Sequence, residues 1–108
     1  MPGALRVLLF NRTEDGEGLR AAYRRTSEAL SGTPGLLGNE LLGNVHDGAE
    51  FIVISEWADR KAFDDWETGA SHRASTAPLR PYRDLGLPRP FGVYQVLDGF
   101  AGEAADPC

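Results

Sequence analysis

The segment Glu50–Trp57 (EFIVISEW) constrains this chain more than any other. Phe51, Val53 and Trp57 alternate with Ile52 and Ile54, so a strand here is apolar on both faces. A strand with one face in water carries its apolar residues on the other face only. This one has to be covered from two sides, and a fold for the chain must supply both layers.

A second segment behaves alike. Ala4–Arg12 (ALRVLLFNR) is apolar at both parities and reads as another strand covered twice, with Asn11 near its end on the parity of Leu5, Val7 and Leu9. Glu17–Ser31 then places Leu19, Ala22, Tyr23, Thr26, Ala29 and Leu30 at helical spacing with arginines opposite. Asp15 is the expected N-cap and Gly32 the expected glycine after the helix. Thr33-Pro34-Gly35 forces a turn, Leu36–His46 reads as a strand weakened by Gly38 and Gly43, and Asp47-Gly48 reads as a hairpin turn. Beyond Trp57 the pattern predicts a short helix over Asp59–Thr68 and a second helical stretch over Ala70–Ala77, ended by Pro78 and Pro81. Leu85–Pro90 is a loop and Phe91–Leu97 a last strand. Residues 1–100 make one expected domain, and 101–108 a polar, disordered tail.

The order β-α-β-β-α-β is the split βαβ pattern: an α+β, ferredoxin-like fold with an antiparallel sheet. Two helices can cover only one sheet face. With strands apolar on both faces, the economical arrangement is a homodimer with the two sheets packed together. A single domain of 108 residues has a thin core, and such a partner surface would help to bury the rest.

Composition removes several function classes. The net charge of −5, with arginines interleaved among acids, speaks against a nucleic-acid partner, because phosphate binding needs clustered cations. Cys108 is the only cysteine, so no intrachain disulfide or cysteine metal site forms. No charged-then-apolar leader opens the chain and no apolar run nears the roughly 18 residues of a membrane span, so a cytoplasmic protein without a membrane partner is expected. His46 and His72 lie far apart without an H-x-x-x-H or a carboxylate cluster, a poor metal set. No G-x-G-x-x-G or P-loop is present, and Ser71-His72 lacks the G-x-S-x-G context of a serine nucleophile.

The stretch Ile52–His72 (IVISEWADRKAFDDWETGASH) is the one to read for chemistry, since Trp66 and His72 stand close together in a chain with two of each residue type. A strand ending in Asn11-Arg12, Pro34-Gly35-Leu36 before the second strand, Ser55-Glu56-Trp57, Ala62-Phe63-x-x-Trp66 and then His72 resemble the antibiotic biosynthesis monooxygenase superfamily. The resemblance runs from Leu5 to about Leu97 and implies a dimeric α/β barrel. It implies a cofactor-independent monooxygenase that oxidises a polycyclic aromatic polyketide intermediate, an anthrone or phenol, to a quinone with O2. The alternative within the same fold is a non-oxidative polyketide cyclase or a module that binds such an intermediate. Haem degradation stands third: Asn11 and Trp66 match that branch too, but His72 follows Trp66 too closely for its axial ligand, and no residue from Arg73 to Arg80 can replace it.

A flavin-free and metal-free oxygenation asks three things of the protein: to bind a flat substrate, to take a proton, and to stabilise an oxyanion. Trp66 suits the first by stacking and by its N–H. His72 suits the second, histidine being the side chain that ordinarily titrates nearest neutrality. Asn11 suits the third, as its NH2 donates without titrating. Phe63 joins Trp66 in binding substrate, and Tyr82 and Arg83 flank the pocket mouth, Arg83 polarising an anion. Each role has a plainer rival: Trp66 as core at the helical spacing of Phe63, Asn11 bonding the turn that follows it, and His72 on the surface after Gly69. Trp57 reads as structural, Tyr23 as core or interface, and Arg80 as solvated.

Overall fold

The computed structural model describes residues 3–69 and 72–102. Strand β1 (Leu5–Arg12) is followed by helix α1 (Gly16–Ala29), strands β2 (Leu36–Asn44) and β3 (Asp47–Trp57), helices α2 (Arg60–Glu67) and α3 (His72–Thr76), a 3-10 segment over Ala77–Tyr82, and strand β4 (Phe91–Gln95). The sheet is antiparallel in the order β2-β3-β1-β4. This is the ferredoxin-like α+β fold that the pattern predicts. The tail expected at 101–108 lies largely outside the described residues.

Register decides which residues meet the helices. Leu5, Val7, Leu9 and Asn11 of β1 stand opposite Trp57, Ser55, Val53 and Phe51 of β3, and these form one sheet face. Leu5, Val7, Trp57 and Phe63 make one buried cluster under α2, while Leu19, Ala22, Val53 and Leu79 make another under α1. On the opposite face lie Leu8 and Phe10 of β1, Ile52 and Ile54 of β3, Leu42 of β2 and Tyr94 of β4. The same β3 residues that are apolar at both parities thus split between a helix-covered face and an uncovered one.

Both long helices start as their sequences dictate. The Asp15 carboxylate accepts the Gly18 N–H at 2.9 Å, and that of Asp59 accepts the Ala62 N–H at 2.9 Å, so each satisfies a donor that a helix start leaves free. Gly35 has φ +82°, and a side chain there would strike Ala62, which is why the Pro34-Gly35 turn can press against α2.

Three local expectations are corrected. The hairpin turns at Val45-His46, and Asp47-Gly48 already belongs to β3. Asn44 wins this competition because its side-chain oxygen accepts the His46 N–H at 2.8 Å, an Asx turn that closes the loop early. Asp47 instead accepts from the Ala49 N–H and pairs with Arg12 at 3.0 Å, and these bonds hold its carboxyl below the usual range. Second, Pro78 and Pro81 do not end the helical stretch: the chain tightens into the 3-10 segment and runs through both. Pro78 sits at the start of that segment, where a missing N–H leaves no bond unmade. Third, β4 stops at Gln95; Val96 still exchanges hydrogen bonds with Gly3 and Ala4, and Leu97 beyond it is 82% exposed.

Candidate active site

Between the sheet and the helices lies a cavity of about 330 Å3. That is within the range of about 300–1,000 Å3 usual for small-molecule sites. Its floor is β1 and β3 (Val7, Leu9, Asn11, Val53, Ser55, Trp57), and its walls come from α1, α2, α3 and the 3-10 segment.

The α2 wall is aromatic. The rings of Trp57, Phe63 and Trp66 meet with centroids 5.1 to 5.9 Å apart, and His72 stands edge-on to Trp66 at 4.5 Å. Trp57 is 1% exposed and donates its indole N–H to the Ser55 hydroxyl at 3.0 Å. The Trp66 indole N–H is buried and has no hydrogen-bond partner among the described residues. A buried donor left unpaired costs about 1–3 kcal/mol, so its survival in a site calls for an explanation.

Asn11 is 2% exposed, a buried amide among apolar neighbours. Its NH2 donates to the Leu9 carbonyl at 3.0 Å, which fixes the side chain along the cavity floor. Its backbone bridges to Arg83, and the Asp84 N–H donates to the Phe10 carbonyl at 3.0 Å. These bonds draw the segment after the 3-10 turn onto the end of β1 and bring Arg83 to the cavity.

Asn11, Phe63, Trp66, His72 and Arg83 therefore line one space, and His72 is not a stray surface residue. Tyr82 is the exception. It packs with Leu19, Ala22, Val53 and Leu79, and its hydroxyl lies against Gly18 at the start of α1, away from the cavity lining. With three residues per turn, the 3-10 geometry puts Leu79 and Tyr82 on the side facing α1 and leaves Arg80 and Arg83 on the next.

Sequence reasoning missed two groups. On the α1 wall Tyr23, Thr26 and Ser27 reach the cavity, together with Asn39 of β2. Tyr23 and Ser27 both donate to the Asn39 side-chain oxygen, while the buried Thr26 hydroxyl has no partner among the described residues. The hydroxyl stripe of α1 was visible at helical spacing. Asn39 was not, because it faces inward only through a register shift between Leu36 and Gly38 that leaves Leu37 unpaired. The second group is cationic: Arg73 and Arg80 join Arg83 around the cavity, with Glu67 the one carboxylate among its described lining residues. Arg80 is tied to the Arg73 carbonyl and the Thr76 hydroxyl, so the expectation of a solvated Arg80 is corrected. Arg73 and Arg83 have no carboxylate partner among the described residues. An acidic chain thus presents a locally positive mouth.

The geometry defines a small, partly apolar chamber whose described lining carries unpaired donors and cations. Comparison with known proteins gives its class. The family model for antibiotic biosynthesis monooxygenases matches residues 2–77, and the chain belongs to that family. Protein SchA of Streptomyces halstedii is 28% identical over 80 residues, which are 72% of this chain and 21% of SchA, so the chain spans about a fifth of that relative's length. SnoaB, a cofactor-independent oxygenase from Streptomyces nogalater, superposes with a TM-score of 0.74 at 16% identity, over 94% of this chain and all of SnoaB. A conserved protein from Methanosarcina mazei superposes with a TM-score of 0.67 at 13% identity, over 89% and 93% of the two chains. At these identities the superpositions speak for the fold. Among the described residues no helix is long and apolar enough to cross a membrane.

Proposed function

We propose that this protein is a cofactor-independent monooxygenase that converts an anthrone- or phenol-type polyketide intermediate to a quinone with O2. The observation that carries the reading is the buried, unpartnered Trp66 N–H beside His72, in a cavity that also holds a buried Asn11. A flat aromatic carrying an oxygen would stack on the aromatic wall and take up that donor.

The chemistry balances without a reductant. An anthrone CH2 becomes a carbonyl with loss of four electrons, which reduce one O2: one oxygen atom enters the quinone and the other leaves as water. His72 takes the first proton from the ring CH2, giving an electron-rich anion. That anion passes one electron to O2, and the pair recombines to a peroxide on carbon. Cleavage of the O–O bond with loss of the remaining C–H proton gives the carbonyl and water. Asn11 and Trp66 donate to the developing oxyanion, where fixed donors in a water-poor site are strongest. Arg73 and Arg83 favour the anionic substrate at the mouth, and Phe63 packs against its ring. Enzyme-dependent O2 uptake with an anthrone by metal-stripped protein tests this; folded protein without uptake would favour a non-oxidative cyclase or binding role.

The uncovered sheet face fits a homodimer. Leu8, Phe10, Leu42, Ile52 and Ile54 line it, Leu42 being 42% exposed and Tyr94 57% exposed, and no described element covers them. A second copy of the chain would bury this face as a dimeric barrel. Sedimentation should give twice the chain mass, and Ile54→Glu should shift it toward the monomer; a monomer for the unaltered protein at high concentration would sink the idea.

A further inference from the structure

We propose that the α1–β2 wall is a second, donor-lined subsite, in which Thr26 positions the substrate through an oxygen substituent remote from the reacting carbon; this rests on the cavity being the site of a flat oxygenated aromatic. Helix α1 presents Tyr23, Thr26, Ser27 and Leu30 to the cavity at the i, i+3, i+4, i+7 spacing of one face. A helix lying on a sheet ordinarily offers aliphatic side chains there, and three of these four are hydroxyls.

Two of the hydroxyls are already used. Tyr23 and Ser27 donate to the Asn39 side-chain oxygen, which orients the Asn39 amide, and its NH2 takes no part in these bonds. Thr26 is different. It is 4% exposed and its hydroxyl is unpaired among the described residues, although a helical threonine can usually donate to the carbonyl one turn back. An unmade bond in a buried position weakens the fold, so a ligand oxygen that completes it gains affinity where bulk water gives no competition.

The Thr26 hydroxyl and the Trp66 N–H are the buried side-chain polar atoms without partners among the described residues. Both belong to residues of one cavity, yet they come from different helices. A ligand that satisfies both carries acceptor oxygens at two separated edges of a rigid frame. The chemical class is a fused-ring aromatic with a hydroxyl or carbonyl on a ring other than the one oxidised. Thr26 acts as a positioning residue: it selects substrates by that oxygen and touches no reacting atom.

The test is anaerobic binding of anthrone and of dithranol, its dihydroxy derivative, followed by tryptophan fluorescence in the unaltered protein, Thr26→Val and Thr26→Ser. The unaltered protein should favour dithranol. Thr26→Val should lower the ratio of dithranol to anthrone affinity by about five- to thirtyfold, the scale of one buried hydrogen bond, and Thr26→Ser should restore it. Thr26→Val should also melt no lower than the unaltered protein, because it removes an unpaired hydroxyl and nothing that the fold uses. A ratio unchanged in Thr26→Val, or no binding of dithranol to folded protein, would overturn the proposal. Oxygen uptake on the same samples separates the two readings. Dithranol bound in a Thr26-dependent way but not oxidised would remove the oxygenase and keep the subsite. Oxidation with an affinity ratio indifferent to Thr26 would do the reverse.

Discussion

Trp57 and Trp66 lie against one another, with ring centroids 5.1 Å apart, and both touch Phe63. At the end of β3, Trp57 has its ring enclosed and its N–H satisfied by Ser55. On α2, Trp66 is half-buried at the cavity wall, edge-on to His72, and its N–H is unsatisfied among the described residues. The difference teaches what separates core from site here. Ring type and aromatic neighbours are alike, and enclosure together with hydrogen bonding tells the two apart.

Substitutions at the two indoles should part company accordingly. Trp57→Ala removes a fully packed ring and should cost about 3–5 kcal/mol in urea denaturation, enough to endanger the fold of a small domain. Next in size, Asn11→Ala should lower kcat on the order of a hundredfold and raise KM by less, since in the proposed mechanism its donor acts on charge that develops in the transition state. Trp66→Phe keeps the stack but deletes a donor with no partner among the described residues. It should lower kcat/KM about tenfold while leaving the urea midpoint near its original value. A collapse of stability in Trp66→Phe would merge the two tryptophans into one core and break the comparison. His72→Ala should have the subtlest signature. A base must be deprotonated to act, so rates through His72 rise with pH; the variant should lose that acid limb, and a limb of unchanged shape would remove His72 from the mechanism.

The strands and their antiparallel α+β fold were legible because β1 and β3 are long and apolar at both parities, a signal that later packing does not override. Asp15 and Asp59 announced their helices by local chemistry alone. What was illegible depended on geometry with no period of its own. The hairpin slid because the Asx turn of Asn44 outcompeted the Asp-Gly dipeptide, and Tyr82 swung to α1 because a 3-10 turn replaced the expected break. In the site, Trp66, His72 and Asn11 stood out by residue type. Asn39 depended on a one-residue bulge that reverses the parity of β2, and Arg73 on how α3 is set beyond α2.

The most direct test of the central claim is the oxygen isotope content of the quinone that metal-stripped protein forms from dithranol under labelled O2. One labelled atom per quinone, formed faster than in a heat-inactivated control and slowed in Trp66→Phe, is the predicted result. Quinone formed at the control rate, or formed equally well by Trp66→Phe and Asn11→Ala, would contradict an oxygenase site at Trp66.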